Sequence, residues 1–155
     1  MKLYLVQHGK ALPREVDPDR GLSEVGRQEV ETVAQQARAG AIRPSRIIHS
    51  SKTRARQTAE ILASALTPGV PCAEQEGLDP LDDVLVTAHR IPVVEDVMIV
   101  GHLPFLSRLA SYLVTGSPDV EICAFRHGGI VCLVPNPNSG LWLLAWAVVP
   151  SPGEE

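Results

Sequence analysis

Cysteine is scarce in this chain: Cys72, Cys123 and Cys132 are the only three, odd in number and without CxxC spacing. Such a set excludes a disulfide framework and a structural zinc site, and reads as buried thiols. No apolar run approaches the roughly 20 residues that cross a bilayer as a helix, because proline, glycine and charges interrupt the apolar stretches. Met1 to His8 lacks the basic region, the longer hydrophobic stretch and the small-residue cleavage site of a signal peptide. A cytoplasmic protein without membrane association is therefore expected. Net positive charge is missing too. At a formal charge of -4, nothing draws the chain broadly to nucleic acid, and any anion site must be a local cluster of basic residues.

What is present is ordinary globular material. The 155 residues are 45% hydrophobic and 21% charged, enough for one compact domain with a buried core. A single domain over residues 1–150 is expected, with 151–155 a frayed tail. No internal repeat or linker is visible.

Apolar periodicity divides the chain into alternating elements. Lys2 to Gln7 (KLYLVQ) reads as a central strand ending at His8-Gly9. After a polar loop from Leu12 to Leu22, Ser23 caps a helix with Val30, Val33, Ala34 and Ala37 at helical spacing, stopped by Gly40 and Pro44. Arg46 to Ser50 (RIIHS) is a second strand. A helix follows with Ala55, Ala59, Leu62, Ala63 and Leu66 on one face and Arg54 in its first turn. A loop through Pro68 and Pro71 leads to Asp79-Pro80, which predicts the start of a short third helix carrying Leu81, Val84, Leu85 and Ala88. Val97 to Val100 is a strand entering Gly101-His102, and Pro104 opens a fourth helix. Ile130 to Val134 and Leu141 to Val149 predict two further strands joined by Pro135 to Gly140. This order implies an α/β fold: a mainly parallel sheet covered on both faces, its last two strands adding antiparallel edges. Ligands of such sheets bind beyond the carboxyl ends of the strands, where His8, Arg54 and His102 all fall.

Those three residues suit phosphoryl chemistry, which needs a nucleophile, cationic donors and backbone NH groups around charge spread over several oxygens. His8 offers an imidazole nucleophile, and Gly9 beside it leaves room for close backbone approach to a phosphate. Arg54 adds bidentate recognition at a helix start that already favours an anion. His102 donates to a phosphoryl oxygen or holds charge as it develops. Taken singly, His8 would be a polar residue closing a buried strand, Arg54 a solvated helix residue and His102 a helix cap. Their common register is what makes a site.

LYLVQHGKA, DRGLSEVG, IIHSSKTRARQTAEIL and VMIVGHLPFLSRL, in this order, resemble successive segments of the histidine phosphatase superfamily, and within it the SixA-type phosphohistidine phosphatases. The resemblance spans nearly the whole chain. It implies a phosphoglycerate mutase-like three-layer α/β/α sandwich, His8 as the phosphorylated nucleophile, Arg20 and Arg54 as phosphate ligands, and His102 as the second pocket histidine. It implies no metal and no organic cofactor. The activity it implies is removal of phosphate from a phosphohistidine-bearing protein such as a phosphotransfer domain, through a phospho-His8 intermediate.

The family motif begins with arginine, and here Gln7 holds that place. A hydrogen bond to a charged group contributes about 1.5 to 3 kcal/mol, part of which Gln7 recovers as a neutral donor. Lys10 and Lys52 are the candidates for substitute charge. Glu76, Asp79, Asp82 and Asp83 lie where ester-cleaving relatives place their general acid, and they equally suit the capping of a helix N-terminus. Two alternatives follow. A small-molecule phosphomonoesterase would use one of these carboxylates; a catalytically weakened member would bind phosphate or phosphohistidine without turnover. His127, in His127-Gly128-Gly129, is read as part of a turn, and His49 and His89 as structural.

Overall fold

The computed structural model describes residues 1–92 and 94–150; the tail expected at 151–155 lies outside the described residues. Six strands form one sheet: β1 (Leu3–Gln7), β2 (Arg46–His49), β3 (Ala73–Glu74), β4 (Val97–Gly101), β5 (Ile130–Pro135) and β6 (Trp142–Val148). They lie in the order β3-β2-β4-β1-β5-β6. The first four in that order are mutually parallel, while β5 runs antiparallel to β1 and β6 antiparallel to β5. The helices are α1 (Glu24–Ala39), α2 (Thr53–Leu66), α3 (Val84–Arg90) and α4 (Phe105–Thr115).

Side-chain alternation along the strands feeds two cores. Tyr4 and Val6 of β1, Met98 and Val100 of β4, and Ile130 and Cys132 of β5 pack with α1 and α2 on one face. Leu3 and Leu5, Val97 and Ile99, and Val131 and Leu133 pack with α3 and α4 on the other. A sheet buried on both faces explains why these strands read as near-continuous apolar runs. The result is the α/β/α sandwich of the phosphoglycerate mutase-like fold.

Helix α1 begins where Ser23 accepts a hydrogen bond from the Gly26 amide at 3.0 Å, and it buries Val30, Val33, Ala34 and Ala37. Helix α3 starts later than the Asp79-Pro80 signal predicts. The Asp79 amide donates to Asp82 Oδ2 at 2.9 Å, the Asp82 amide donates back to the Asp79 carbonyl at 3.1 Å, and Asp83 caps the helix by accepting from Leu85. Short carboxylates that satisfy nearby amides close a turn instead of extending the helix, and Leu81, expected on its apolar face, is 87% exposed. The two-residue strand β3 falls where a loop was expected; it is too short for period-two alternation to show.

Candidate active site

Parallel pairing sets the site. In the β1–β4 register Gln7 faces Gly101, and in the β2–β4 register His49 faces Val100. The residues that follow, His8, His102 and Ser50, therefore leave the sheet together at one edge, and the His8 amide extends the ladder by donating to the Gly101 carbonyl at 3.0 Å. The His8 and His102 ring centroids are 5.1 Å apart.

His8 is 8% exposed, and its Nδ1 lies 2.7 Å from the Gly9 carbonyl oxygen. A carbonyl can only accept, so Nδ1 carries the proton and Nε2 keeps the lone pair. Burial holds the imidazole down at a pKa of about 4, against the raising effect of the Gly9 carbonyl; Arg54, His127 and Arg20 push it down further. Near neutral pH the ring is uncharged and of fixed tautomer, with a lone pair on Nε2 of the kind nucleophilic attack requires.

His102 is almost fully enclosed. Its Nε2 lies 2.6 Å from Ser50 Oγ, which in turn accepts from the Lys52 amide at 3.3 Å. The serine hydroxyl has one proton to give, and Nε2 is the acceptor it has among the described residues; with that proton directed to Nε2, Nδ1 is the protonated nitrogen. Nδ1 is buried with no hydrogen-bond partner among the described residues, a position that costs about 1 to 3 kcal/mol until an acceptor arrives. Burial first, then His8, Arg54 and Lys52, hold the pKa of His102 at about 3. His102 is thus a neutral NH donor.

Arg54 stands in the first turn of α2, its Nε buried and without a hydrogen-bond partner among the described residues. Burial and the charges of Arg20 and Arg14 lower its pKa, opposed by Asp79. The guanidiniums of Arg54 and Arg20 and the imidazole of His8 feel one another, so the cluster is short of negative charge, the condition a phosphoryl group satisfies. Arg20 is held at φ 50°, a left-handed conformation sparsely populated by non-glycine residues. Its amide donates to the Asp17 carbonyl and its Nε to the Leu12 carbonyl. Asp17 Oδ2 also accepts from Gly21, and Gln57 of α2 accepts from Leu22. The loop is tied to the helix that carries Arg54.

Gly9 serves packing. A Cβ there would meet Val30 Cγ2 at 2.7 Å and the Gly26 carbonyl at 3.2 Å, and one on Gly26 would lie 2.1 Å from the Lys10 carbonyl. The loop after β1 presses on α1 through these two glycines, and the Gly9 amide donates to Thr58 Oγ1 at 3.0 Å, not outward. Thr58 donates to the Arg54 carbonyl, linking His8's loop to Arg54's turn. The close approach of backbone at Gly9 is therefore to a helix.

Gln7 is 7% exposed with Oε1 lacking a partner among the described residues. Lys10 Nζ lies 3.6 Å from Glu29 Oε1, so its charge is partly neutralised by α1. Lys52 is exposed, and its charge reaches His102. Asp82 and Asp83 are engaged as turn and helix caps, and Glu76 is exposed. Asp79 is the carboxylate whose charge reaches Arg54. Among the described residues no group of three or more His, Cys, Asp and Glu side chains is placed to hold a metal ion, and no helix is long and apolar enough to span a membrane.

Sequence reasoning missed Arg14, Ser50, Thr58 and above all His127. The turn at His127-Gly128-Gly129 forms as expected, with Gly128 at φ 76°, and its Gly128 amide donates to the Gln7 carbonyl at 2.8 Å. That bond docks the turn at the end of β1 and brings the His127 ring edge-on to His8, centroids 5.3 Å apart. Because β5 is antiparallel to β1, the residues before β5 lie at the same end of the sheet as those after β1; the sequence suggests antiparallel strands here without showing that β5 pairs with β1.

Comparison with known proteins agrees with this geometry. The family described as the histidine phosphatase superfamily (branch 1) matches residues 3–82. An uncharacterized protein of Picosynechococcus sp. is 36% identical over 141 residues, which cover 86% of this chain and 84% of the relative. Among solved structures, the protein histidine phosphatase SixA complexed with tungstate superposes with a TM-score of 0.80 at 24% identity, over 97% of each chain. A structure from Agrobacterium tumefaciens assigned as a SixA phosphohistidine phosphatase gives 0.75 at 26% identity, over 96% of this chain and 97% of that one. Phosphoserine phosphatase from Entamoeba histolytica, in complex with 3-phosphoglyceric acid, shares the fold at 0.73 and 15% identity, over 97% and 98% of the two chains. The family match and the 26%-identical neighbour support a phosphatase, a hydrolase of phosphorylated substrates. The chain belongs to the histidine phosphatase superfamily, branch 1.

Proposed function

We propose that the protein hydrolyses phosphohistidine on a partner protein, such as a phosphotransfer domain, through a phospho-His8 intermediate and without a metal or organic cofactor. The observation that carries this reading is the fixed tautomer of His8: Nδ1 held by the Gly9 carbonyl, Nε2 left basic, and burial keeping the ring neutral. In the first step His8 Nε2 bonds to phosphorus as the substrate's P–N bond breaks; a phosphohistidine protonated on its other nitrogen leaves as neutral imidazole. In the second, water bonds to phosphorus as the bond to Nε2 breaks, releasing orthophosphate and returning His8 with its lone pair. Arg54, Arg20 and the His102 Nδ1–H would hold the equatorial oxygens, with Gln7 as a neutral donor and Lys52 as auxiliary charge.

Two features support phosphohistidine over an ester. An imidazole leaving group needs far less protonation than an alkoxide, and Asp82 and Asp83 are occupied as caps. A second reading rests on Asp79, whose charge reaches Arg54: it would serve as the acid of a small-molecule phosphomonoesterase. Phosphate release from a phosphorylated phosphotransfer domain and from a simple phosphate ester, compared for wild type and Asp79→Asn, tests the choice. Release chiefly from phosphohistidine, unchanged in the variant, agrees with the proposal. Preference for the ester, lost in the variant, selects the second reading, and tight phosphate binding with no release from either substrate would mean a binding protein.

A further inference from the structure

Gln7 leaves the site one cation short of its family pattern, and the turn that docks on Gln7 brings in a third imidazole. We propose that His127 binds the transferred phosphoryl group beside His8, supplying the cationic contact that Gln7 cannot. The inference rests on the phospho-His8 reading above.

Three observations converge on it. The His127 ring lies edge-on to His8 at 5.3 Å between centroids, close to the 5.1 Å separating His8 from His102. A group transferred to His8 would therefore sit within reach of both neighbours. The second observation is that His127 Nδ1 is buried and has no hydrogen-bond partner among the described residues, as is also true of His102 Nδ1 and Arg54 Nε; buried polar atoms left open in this way are rare outside binding sites. The third is its support. The Gly128 amide is fixed to the Gln7 carbonyl, so the turn cannot move independently of the motif strand.

The charged and titratable groups facing His127 are Lys10 from the loop after β1, Glu29 from α1, and His8 at the end of β1. Burial and Lys10 hold its pKa below the ordinary histidine value, and Glu29 works the other way. A dianion bound beside the ring favours the protonated form. Binding then draws a proton onto His127, and affinity falls as pH rises from the free value towards the bound one. Glu29 acts here as a positioning residue, since its carboxylate balances Lys10 and keeps His127 able to take that proton.

Tungstate, kept dilute enough to remain monomeric, is a suitable probe, because it stays a dianion where phosphate itself titrates. Its affinity would be measured calorimetrically from about pH 6 to about pH 8.5, the span around an ordinary histidine, for wild type, His127→Ala, His127→Lys, Arg54→Ala and the double variant Gln7→Arg/His127→Ala. His127→Ala is expected to weaken binding about tenfold at the acid end, in keeping with the loss of one charged hydrogen bond, and to flatten the pH dependence. His127→Lys restores affinity without pH dependence, and Gln7→Arg restores it in the double variant. Equal affinity and pH slope in wild type and His127→Ala would overturn the inference, as would a loss that neither cation restores, which marks a structural role. The underlying reading fails separately: wild type that binds no tungstate, or binds it equally well after Arg54→Ala, overturns the phosphoryl site itself.

Discussion

Ser50 Oγ lies 2.6 Å from His102 Nε2, joining the end of β2 to the end of β4 beneath the candidate phosphoryl site. The serine, also an acceptor for the Lys52 amide, decides which nitrogen of His102 presents a proton to the site. Ser50→Ala is expected to cost about 1 kcal/mol of stability and to lower kcat about tenfold with little change in KM. Steady-state kinetics on a phosphorylated phosphotransfer domain check this. An unchanged kcat would mean that His102 needs no orientation by the serine.

The contact of Gly26 with the Lys10 carbonyl predicts a packing effect without chemistry. A Cβ at Gly26 would stand 2.1 Å from that backbone oxygen, which no rotamer change relieves. Gly26→Ala is expected to lower stability by about 1 to 3 kcal/mol and to displace the loop bearing Lys10. Urea denaturation measures the loss, and a variant as stable as wild type would show that the loop yields freely.

Acid should act on the protein through its buried imidazoles. His8 and His102 have folded values of about 4 and about 3, both below the 6.5 of an unperturbed histidine. The unfolded state therefore binds protons that the folded state refuses, so both contribute no penalty above about pH 6.5 and destabilise the fold progressively as pH falls towards 4. Melting temperature is expected to drop across that window, and less steeply in the His8→Ala/His102→Ala double variant. Turnover from neutral His8 should persist to lower pH than an ordinary histidine would permit, declining only as pH approaches 4.

Much of this architecture was legible in the sequence because the sheet is buried on both faces. Runs such as LYLVQ and VMIV read as strands, and helical spacing at Val30, Val33, Ala34 and Ala37 read as a helix. The rule that sites lie beyond parallel strand ends then placed His8, His102 and Arg54 together. The misses have physical reasons. Asp79 to Asp83 offers several amide-accepting carboxylates in a row, so a helix start and a closed turn look alike in one dimension. Gly9 beside His8 suggests room for phosphate, but the atoms that need the room belong to Val30 and Gly26, 17 or more residues away. Turn chemistry explains the HGG sequence fully, so nothing local marks His127; that the turn lands on His8 depends on the antiparallel pairing of β5 with β1. Ser50 and Thr58 matter only through hydrogen bonds to distant residues, which spacing does not reveal.

On the proposal above, His8 Nε2 carries the phosphoryl group between substrate and water. Mixing wild type with a phosphotransfer domain labelled on its phosphohistidine, quenching in alkali within one turnover and mapping the label by mass spectrometry tests it most directly. An acid-labile, alkali-stable phosphate is expected on His8, accumulating and decaying as orthophosphate appears, and absent from His8→Ala. Orthophosphate released at the wild-type rate by His8→Ala, or a label found on another residue, would contradict it.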